Sequence, residues 1–449
     1  MDDDRHHLVR PGGALPAALR RARRVGPRGR RGPPAPDGPC GGLSHGGGGR
    51  DHPVAHARCP GRGPVVAHVG GRGLRGRRPA LHRAPLGPAP HADGGEPRHV
   101  GGAGTGAHQL AAHGGVDGAR NRLRRDRVAD DVSNIVSDIL DTTVVGGFSR
   151  IGYEWRSRSR GFEPPEALDL RGRRIVVTGP TSGLGLATVR MLAPTGADLV
   201  LVGRDAARTT AAAVEIAGSA TGRVDTVTAD MSDLNAVASA CAGMGPVDVI
   251  VHNAGALLDS RQLSRQGIEM TVAAHVVGPH LMTRLLLPTL ARSGGRVVTV
   301  ASGGMYAADL PRVAGDRTLE MNEVHWNGTR QYAIAKRAQV TLNEMWAAGE
   351  PAVHFAAMHP GWADTPGVKS SLPLFRVVTR PILRTARQGA DTIAWLAGVE
   401  GIPAPSGSFW CDRETRPIHK SPSTRASDTP DRRDGLWQWV QSVTDPFVN

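Results

Sequence analysis

From Arg173 onward the chain settles into a repeating pattern. That pattern constrains the fold more than any other feature of its 449 residues. A short apolar run, RIVVTG, closes on glycine, and a helix-like stretch, LGLATVRMLAPTG, follows. The unit then returns. ADLVLVGRD, RVDTVTAD, VDVIVHNAG, GRVVTVAS, AVHFAAMHPG and SGSFWCDR read as strands, with helical text such as residues 206–217 and LNAVASACAGM between them. Strands that alternate with helices pair in parallel, because each helix carries the chain back across the sheet. Continuously apolar strands belong to a sheet covered on both faces. The expected fold class is α/β, a single doubly wound parallel sheet flanked by helices over residues 171–415.

The text before this pattern is of another kind. Residues 1–130 hold 23 Arg, no Lys and 10 Asp plus Glu, a balance of +13, while the remaining 319 residues carry only +1 of the formal +14. No Phe, Tyr or Trp occurs before Phe148. Such a low-complexity segment buries too little apolar surface to offset its ordering entropy, so disorder is expected. It reads as a basic tail that attracts phosphates, as a targeting segment, or as a mis-called start in GC-rich DNA; the third reading is preferred. Residues 131–170 form a lead-in. Within it, VSNIVSDILDTTVVGGFSRIGYEWRSRSR has helical spacing and a basic aromatic end, suited to packing on the domain or to peripheral contact with a membrane surface. Residues 416–449 read as a polar C-terminal tail, with LWQWV docking or capping an oligomer. The four cysteines lack paired spacing, so neither a disulfide framework nor a metal site is expected. No run of about 18 apolar residues is present, and the default compartment is the cytoplasm. No nucleic-acid binding is expected of the folded part, given its +1 balance.

The first strand-to-helix turn is TGPTSGLG, Thr178 to Gly185. Glycines 179, 183 and 185 let backbone approach a ligand, and the helix that opens at Ser182, Gly183 and Leu184 presents amides to a pyrophosphate. A plain glycine-rich turn is the bland alternative. The strand before it and the helix after it favour a Rossmann-type dinucleotide site. Arg204 directly follows the second strand, which favours the 2′-phosphate of NADP; Asp205, one residue later, leaves NAD open. Asp230 ends the third strand, where it can reach an adenine amine with Met231 beside the ring, or can cap the next helix. Asn253, Ala254 and Gly255 end the fourth strand, where small residues admit a nucleoside and Asn253 can bridge strands. Ser302 ends the fifth strand, in the zone where open α/β sheets bind ligands.

Only three lysines occur, at 336, 369 and 420, and one lies four residues after Tyr332 in QYAIAK. That spacing puts Tyr332 and Lys336 on one helix face. An ammonium beside a phenol lowers the phenol pKa and equips it for proton transfer. Alone, the spacing is common; after a dinucleotide turn and a strand-end serine it gains partners.

This ordered set resembles the short-chain dehydrogenase/reductase family over residues 171–412. The resemblance rests on TGPTSGLG, HNAG, the Ser302 strand end, YAIAK and HPGW. Within the family, VTVASGGMY, WNGTRQYAIAKRAQV, MHPGWADTPGVKSSLP and RQGADTIAWLA resemble the retinol-dehydrogenase-like group and its SDR family member 12 type. The resemblance implies an enzyme. Tyr332 would be the general acid/base, Lys336 would tune it and hold the nicotinamide ribose, and Ser302 would orient the substrate oxygen. Pro360 and Gly361 would pass beside the nicotinamide, and Thr365 would contact its carboxamide or the pyrophosphate. One position departs from the pattern: in AAHVVGPH, His275 stands where relatives carry Asn. A histidine there either holds the same water, slows the proton relay, or is a core histidine with a satisfied bond.

The expected function is NADP(H)-dependent interconversion of a carbonyl and an alcohol by a homo-oligomer. Tyr306, Leu310 and Trp326, with residues 366–375, are expected to cover the substrate, which suggests a hydrophobic one. A non-catalytic dinucleotide sensor on the same fold is the alternative, motivated by His275. An epimerase or dehydratase ranks low, because the chain after 361 is short for a larger substrate domain.

Overall fold

The computed structural model describes residues 143–315, 318–365, 377 and 379–448; the basic segment 1–130 and residues 366–375 lie outside the described residues. Eight strands form one sheet in the order β3-β2-β1-β4-β5-β6-β7-β8. They are β1 (Arg174–Thr178), β2 (Asp198–Gly203), β3 (Val224–Thr228), β4 (Val249–His252), β5 (Arg296–Val300), β6 (His354–Met358), β7 (Phe409–Cys411) and β8 (Glu414–Thr415). The first seven pair in parallel, and β8 returns antiparallel to β7. All seven strands read from the sequence are present. β8 was not anticipated, being only two residues beyond a tight turn.

The described α-helices of more than four residues are α1 (Val144–Phe148), α2 (Arg150–Ser159), α3 (Gly183–Leu192), α4 (Ala206–Ala217), α5 (Leu234–Ala242), α6 (Gly278–Ser293), α7 (Gly328–Gly349), α8 (Ala386–Gly398), α9 (Pro422–Ser427) and α10 (Pro430–Thr444). Several starts are written in the sequence. Asp205 accepts from Arg208 N, Asn327 from Arg330 N, and Thr385 forms a reciprocal box with Gln388. Each satisfies an amide that the helix itself cannot.

The two-residue period of the strands divides the core into two layers. Ile175 and Val177 of β1, Leu199 and Leu201 of β2, and Val249 and Val251 of β4 pack with α3, α4 and α8. The alternate residues Val176, Val200 and Ile250 pack on the other face with α5, α6, α7 and α10. Both sets are almost fully buried, as continuous apolar strands require.

The C-terminal segment corrects the expectation of a polar tail over residues 416–449 and, of the two readings of LWQWV, bears out docking. Residues 430–444 form α10, and Leu436 and Val440, one turn apart, are fully buried in the second core layer. Trp437 and Trp439 pack against that layer from its edge. Most of the helix is polar because only this narrow stripe is covered.

The lead-in packs on the domain through charge. Arg156 of α2 is fully buried and donates from Nε and Nη2 to Asp412 Oδ2 at 2.9 and 2.5 Å. Arg384 grips the same carboxylate, Nη1 to Oδ1 at 2.5 Å and Nη2 to Oδ2 at 3.0 Å. Ile151 and Trp155 remain on the outer face, 56% and 39% exposed. Burial pushes the Asp412 carboxyl up, but Arg384 and Arg156 outweigh it and hold it at about 2.

Two predictions follow from this packing. Leu436→Ala should lower unfolding stability by about 2–5 kcal/mol in chemical denaturation, whereas a loose tail would lose nothing. Asp412→Asn should destabilise by about 3–5 kcal/mol at neutral pH, since it removes the carboxylate charge that two buried guanidiniums share. The wild-type carboxylate has a depressed folded pKa. Its contribution is therefore complete above the ordinary carboxyl value of 3.8 and is lost as pH falls toward about 2. Thermal unfolding scans at pH 7, 4 and 2.5 should show the variant and wild type converging as pH falls; a constant gap would contradict the ion-pair account.

Candidate active site

β1 and β4 are neighbours from which the sheet order runs outward in both directions, and open α/β sheets bind ligands beyond the strand ends at such a point. The hydroxyl of Thr178, at the end of β1, ties the two strand ends together. Its oxygen accepts from Asn253 N at 3.0 Å and Ala254 N at 2.9 Å. The Asn253 amide donates to Thr178 O and Gly179 O at 3.0 and 3.1 Å, so this residue bridges strands as expected. Gly179 takes φ +67°, a left-handed conformation suited to glycine. A Cβ at Gly185 would lie 2.1 Å from Gly179 O, so only glycine lets the helix approach the turn this closely. Ser182 sits at the N-cap of α3 without using its side chain, and Gly183 and Leu184 open the helix. The backbone amides there face no side-chain cap, which fits an anion at the helix start.

Arg204 follows β2, is exposed, and makes no hydrogen bond or ion pair among the described residues. Asp205 is committed elsewhere, as the cap of α4. Asp230 does not cap α5; Asp233 does. The Asp230 carboxylate instead accepts from Ser232 N and Oγ at 2.9 and 2.7 Å. Met231, expected beside the adenine ring, is 4% exposed and packs in the core layer.

Ser302 follows β5. Its Oγ accepts from Gly304 N at 3.1 Å, and its hydroxyl lies near enough to the phenol of Tyr332 to influence it. Tyr332 and Lys336 share a face of α7, with Lys336 Nζ 5.4 Å from the Tyr332 ring centroid. Nζ donates to Val300 O at 2.8 Å. The sequence reading expected Lys336 to depress the Tyr332 pKa. In the protein without cofactor, burial raises it, and the Ser302 hydroxyl pulls weakly the other way. Lys336 lies over the ring face rather than beside the oxygen, which explains the difference. Burial also brings Lys336 down to about 7, poised between ammonium and amine.

His275 lies in a π-helical turn, Ala273–Val277, that leads into α6. Its ring meets the Tyr332 ring edge-on at 5.3 Å between centroids. Nε2 lies 3.1 Å from Ala256 N and 3.0 Å from Ala256 O. Gly255 accommodates the imidazole, for a Cβ there would sit 1.9 Å from His275 Cε1.

Pro360 and Gly361 follow β6 on the same side of the sheet. Gly361 N donates to His359 Nδ1, and Thr365 is the last described residue before the gap. Sequence reasoning missed the aromatic group beside this loop. Phe148, from the end of α1, packs on His359 at 4.5 Å, Trp362 at 6.0 Å and Tyr306 at 6.3 Å between centroids. It also leaves no space for a side chain at Gly303, next to Ser302. The only clue was that Phe148 is the first aromatic residue of the chain. Tyr306 is in this group, whereas Leu310 is fully buried in the core and so does not cover a substrate. Trp326 packs near Gly328, at the start of α7.

Residues 173–309 match the short chain dehydrogenase family. Over 307 residues the chain is 35% identical to dehydrogenase/reductase SDR family member 12 of Bos taurus and 36% identical to that of Homo sapiens. Each match covers 67% of this chain and 95% of the relative. Retinol dehydrogenase 12 of Homo sapiens is 29% identical over 286 residues, covering 60% of this chain and 85% of its own. Agreement at this level over nearly the full length of two relatives, on a sheet whose strand ends gather the matching motifs, places the chain in the short-chain dehydrogenase/reductase family.

Proposed function

We propose that this protein is an NADP(H)-dependent oxidoreductase that interconverts a carbonyl and an alcohol on a hydrophobic small molecule, working as a homo-oligomer. The observation that carries the reading is the convergence of Ser302, Tyr332 and Lys336 beyond the strand ends that also carry the Thr178–Gly185 turn. In this reading Tyr332 exchanges a proton with the substrate oxygen, and Ser302, beside the phenol, orients that oxygen. Burial keeps the free phenol protonated, the form that gives a proton to a carbonyl. The bound nicotinamide would supply or accept the hydride. Gly183 to Gly185 would hold the pyrophosphate, Asp230 and the Asn253–Gly255 strand end would flank the nucleoside, and Pro360, Gly361 and Thr365 would border the nicotinamide. Arg204 would read a 2′-phosphate, because its guanidinium is exposed and Asp205 is engaged at a cap. The aromatic group around Phe148 supports an apolar substrate. His275 favours a second reading, a dinucleotide sensor without turnover, since an imidazole rather than an amide packs on Tyr332.

Two measurements test these readings. Titrating the tryptophan fluorescence of the full chain should show tighter binding of NADPH than of NADH. Arg204→Ala should weaken NADPH about 10- to 100-fold, the loss of a charge-assisted bond of roughly 1.5–3 kcal/mol, and leave NADH unchanged. Equal affinities in the wild type would remove the role of Arg204, and no binding of either would remove the enzyme reading. Tyr332→Phe should reduce NADPH-driven reduction of 4-nitrobenzaldehyde by about 10²–10⁴-fold at unchanged cofactor affinity. A wild type that binds NADPH but reduces neither this aldehyde nor small polar carbonyls would favour the sensor. Activity confined to polar carbonyls would overturn the hydrophobic substrate.

A further inference from the structure

Behind Tyr332, between the sheet and helices α6 and α7, lies a cavity of about 30 Å³. Five side chains on its wall each bring a polar atom without a protein partner: His252 Nδ1, His275 Nδ1, His280 Nε2, Gln339 Oε1 and Asn343 Oδ1. All five residues are at least nine-tenths buried, their exposures running from 2% to 5%. The other polar atom of each is already bound. His252 Nε2 pairs with Thr283 Oγ1 at 2.9 Å, and His275 Nε2 pairs with the Ala256 backbone. Trp346 Nε1 donates to His280 Nδ1 at 3.2 Å. The Gln339 amide donates to His275 O at 2.6 Å, and the Asn343 amide donates to Gly407 O at 2.8 Å.

These bonds fix what the cavity offers. Burial holds all three imidazoles at about 3, so each is neutral, with one N–H and one bare nitrogen. Because His280 Nδ1 accepts from Trp346, its proton is on Nε2. The engaged NH₂ groups leave Gln339 and Asn343 with their oxygens free. The wall therefore presents at least one donor and two acceptors, plus two histidine nitrogens of either kind. Buried polar atoms in native proteins are paired, with water where protein is lacking. A water needs about 10–15 Å³ of such space and two to four polar partners, so the cavity suits about two.

We infer that this cavity is a buried water site, bound by His252, His275, His280, Gln339 and Asn343, and that it makes His275 a positioning residue for Tyr332. The imidazole is then held at both nitrogens, by Ala256 on one side and by water on the other, and the Tyr332 ring rests on its edge. The π-helical turn contributes directly. Its His275 carbonyl faces Pro279 four residues on, which has no amide to give, and Gln339 donates to it instead; that bond turns the Gln339 oxygen to the cavity. The positioning role rests on the oxidoreductase reading; the water site does not.

Crystals of the full chain with NADP, diffracting to about 1.5 Å, test the site itself. Two ordered waters are expected, each within about 3.2 Å of at least two of the five atoms. Xenon occupying the cavity in pressurised crystals, or rotated side chains pairing the five atoms with each other, would overturn it. The positioning role is read from the pH profile of 4-nitrobenzaldehyde reduction in His280→Phe, which fills the cavity from the wall away from Tyr332, and in Asn343→Leu should the first variant fail to fold. The expected result is a kcat about tenfold lower with a displaced pH profile and unchanged KM for NADPH. An unchanged kcat and profile in a folded variant would overturn the positioning role. The diffraction result needs no turnover, so failure of the water site and failure of the oxidoreductase reading are separate results.

Discussion

One carboxylate joins three parts of this molecule that are distant in sequence. Asp412 lies in the turn between β7 and β8, where it and Arg413 both take positive φ, at 52° and 58°. Such a turn is costly for residues with a Cβ. Here it is held by two guanidiniums: Arg156 from the lead-in and Arg384 from just before α8. Both also bond backbone carbonyls: Arg156 and Arg384 reach Gly147 O, and Arg384 also reaches Ser149 O and Pro360 O. These carbonyls add negative potential around the buried guanidiniums. Through them the charge that secures the lead-in also shapes the Pro360–Gly361 loop and places Phe148 against Gly303. The site therefore depends on residues that precede the first strand.

The doubly wound sheet was legible because its signals are local and redundant. Each strand is an apolar run of fitting length, and the Thr178–Gly185 turn stands where a strand meets a helix. The serine, tyrosine and lysine were legible as a set through order and spacing. What escaped was decided by tertiary partners. The basic aromatic end of the lead-in reads as packing on the domain or touching a membrane surface, but nothing in WRSRSRG marks Arg156 as the residue that turns inward to Asp412. In α10, docking is one of the two readings of LWQWV, but Leu436 and Val440 make too thin an apolar stripe in a polar stretch to choose it over capping an oligomer. The Tyr332 pKa was misread for a related reason. Four-residue spacing fixes the face that two side chains share, but not whether the ammonium stands by the oxygen or over the ring.

Gly255 and His275 are fitted to each other: a side chain at 255 would collide with the imidazole. His275 does not stand alone. His252 and His280 face the same cavity, so the region behind Tyr332 is a cluster of neutral rings. Neutral imidazoles carry a donor and an acceptor without charge, which lets polarity enter the core beside a buried lysine without adding to its electrostatic cost.

The place of α10 in the core bears on how the chain comes to be folded during synthesis. Translation delivers β1, the glycine turn and the first two layers of helix long before residues 436–440 leave the ribosome. Until they do, the outer surface of α6 and α7 lacks its apolar cover, and the nascent domain presents a greasy seam to folding helpers or to its own neighbours. A late codon can therefore govern early solubility: damage to the last helix would surface as aggregation of a polypeptide whose nucleotide-binding half is already built.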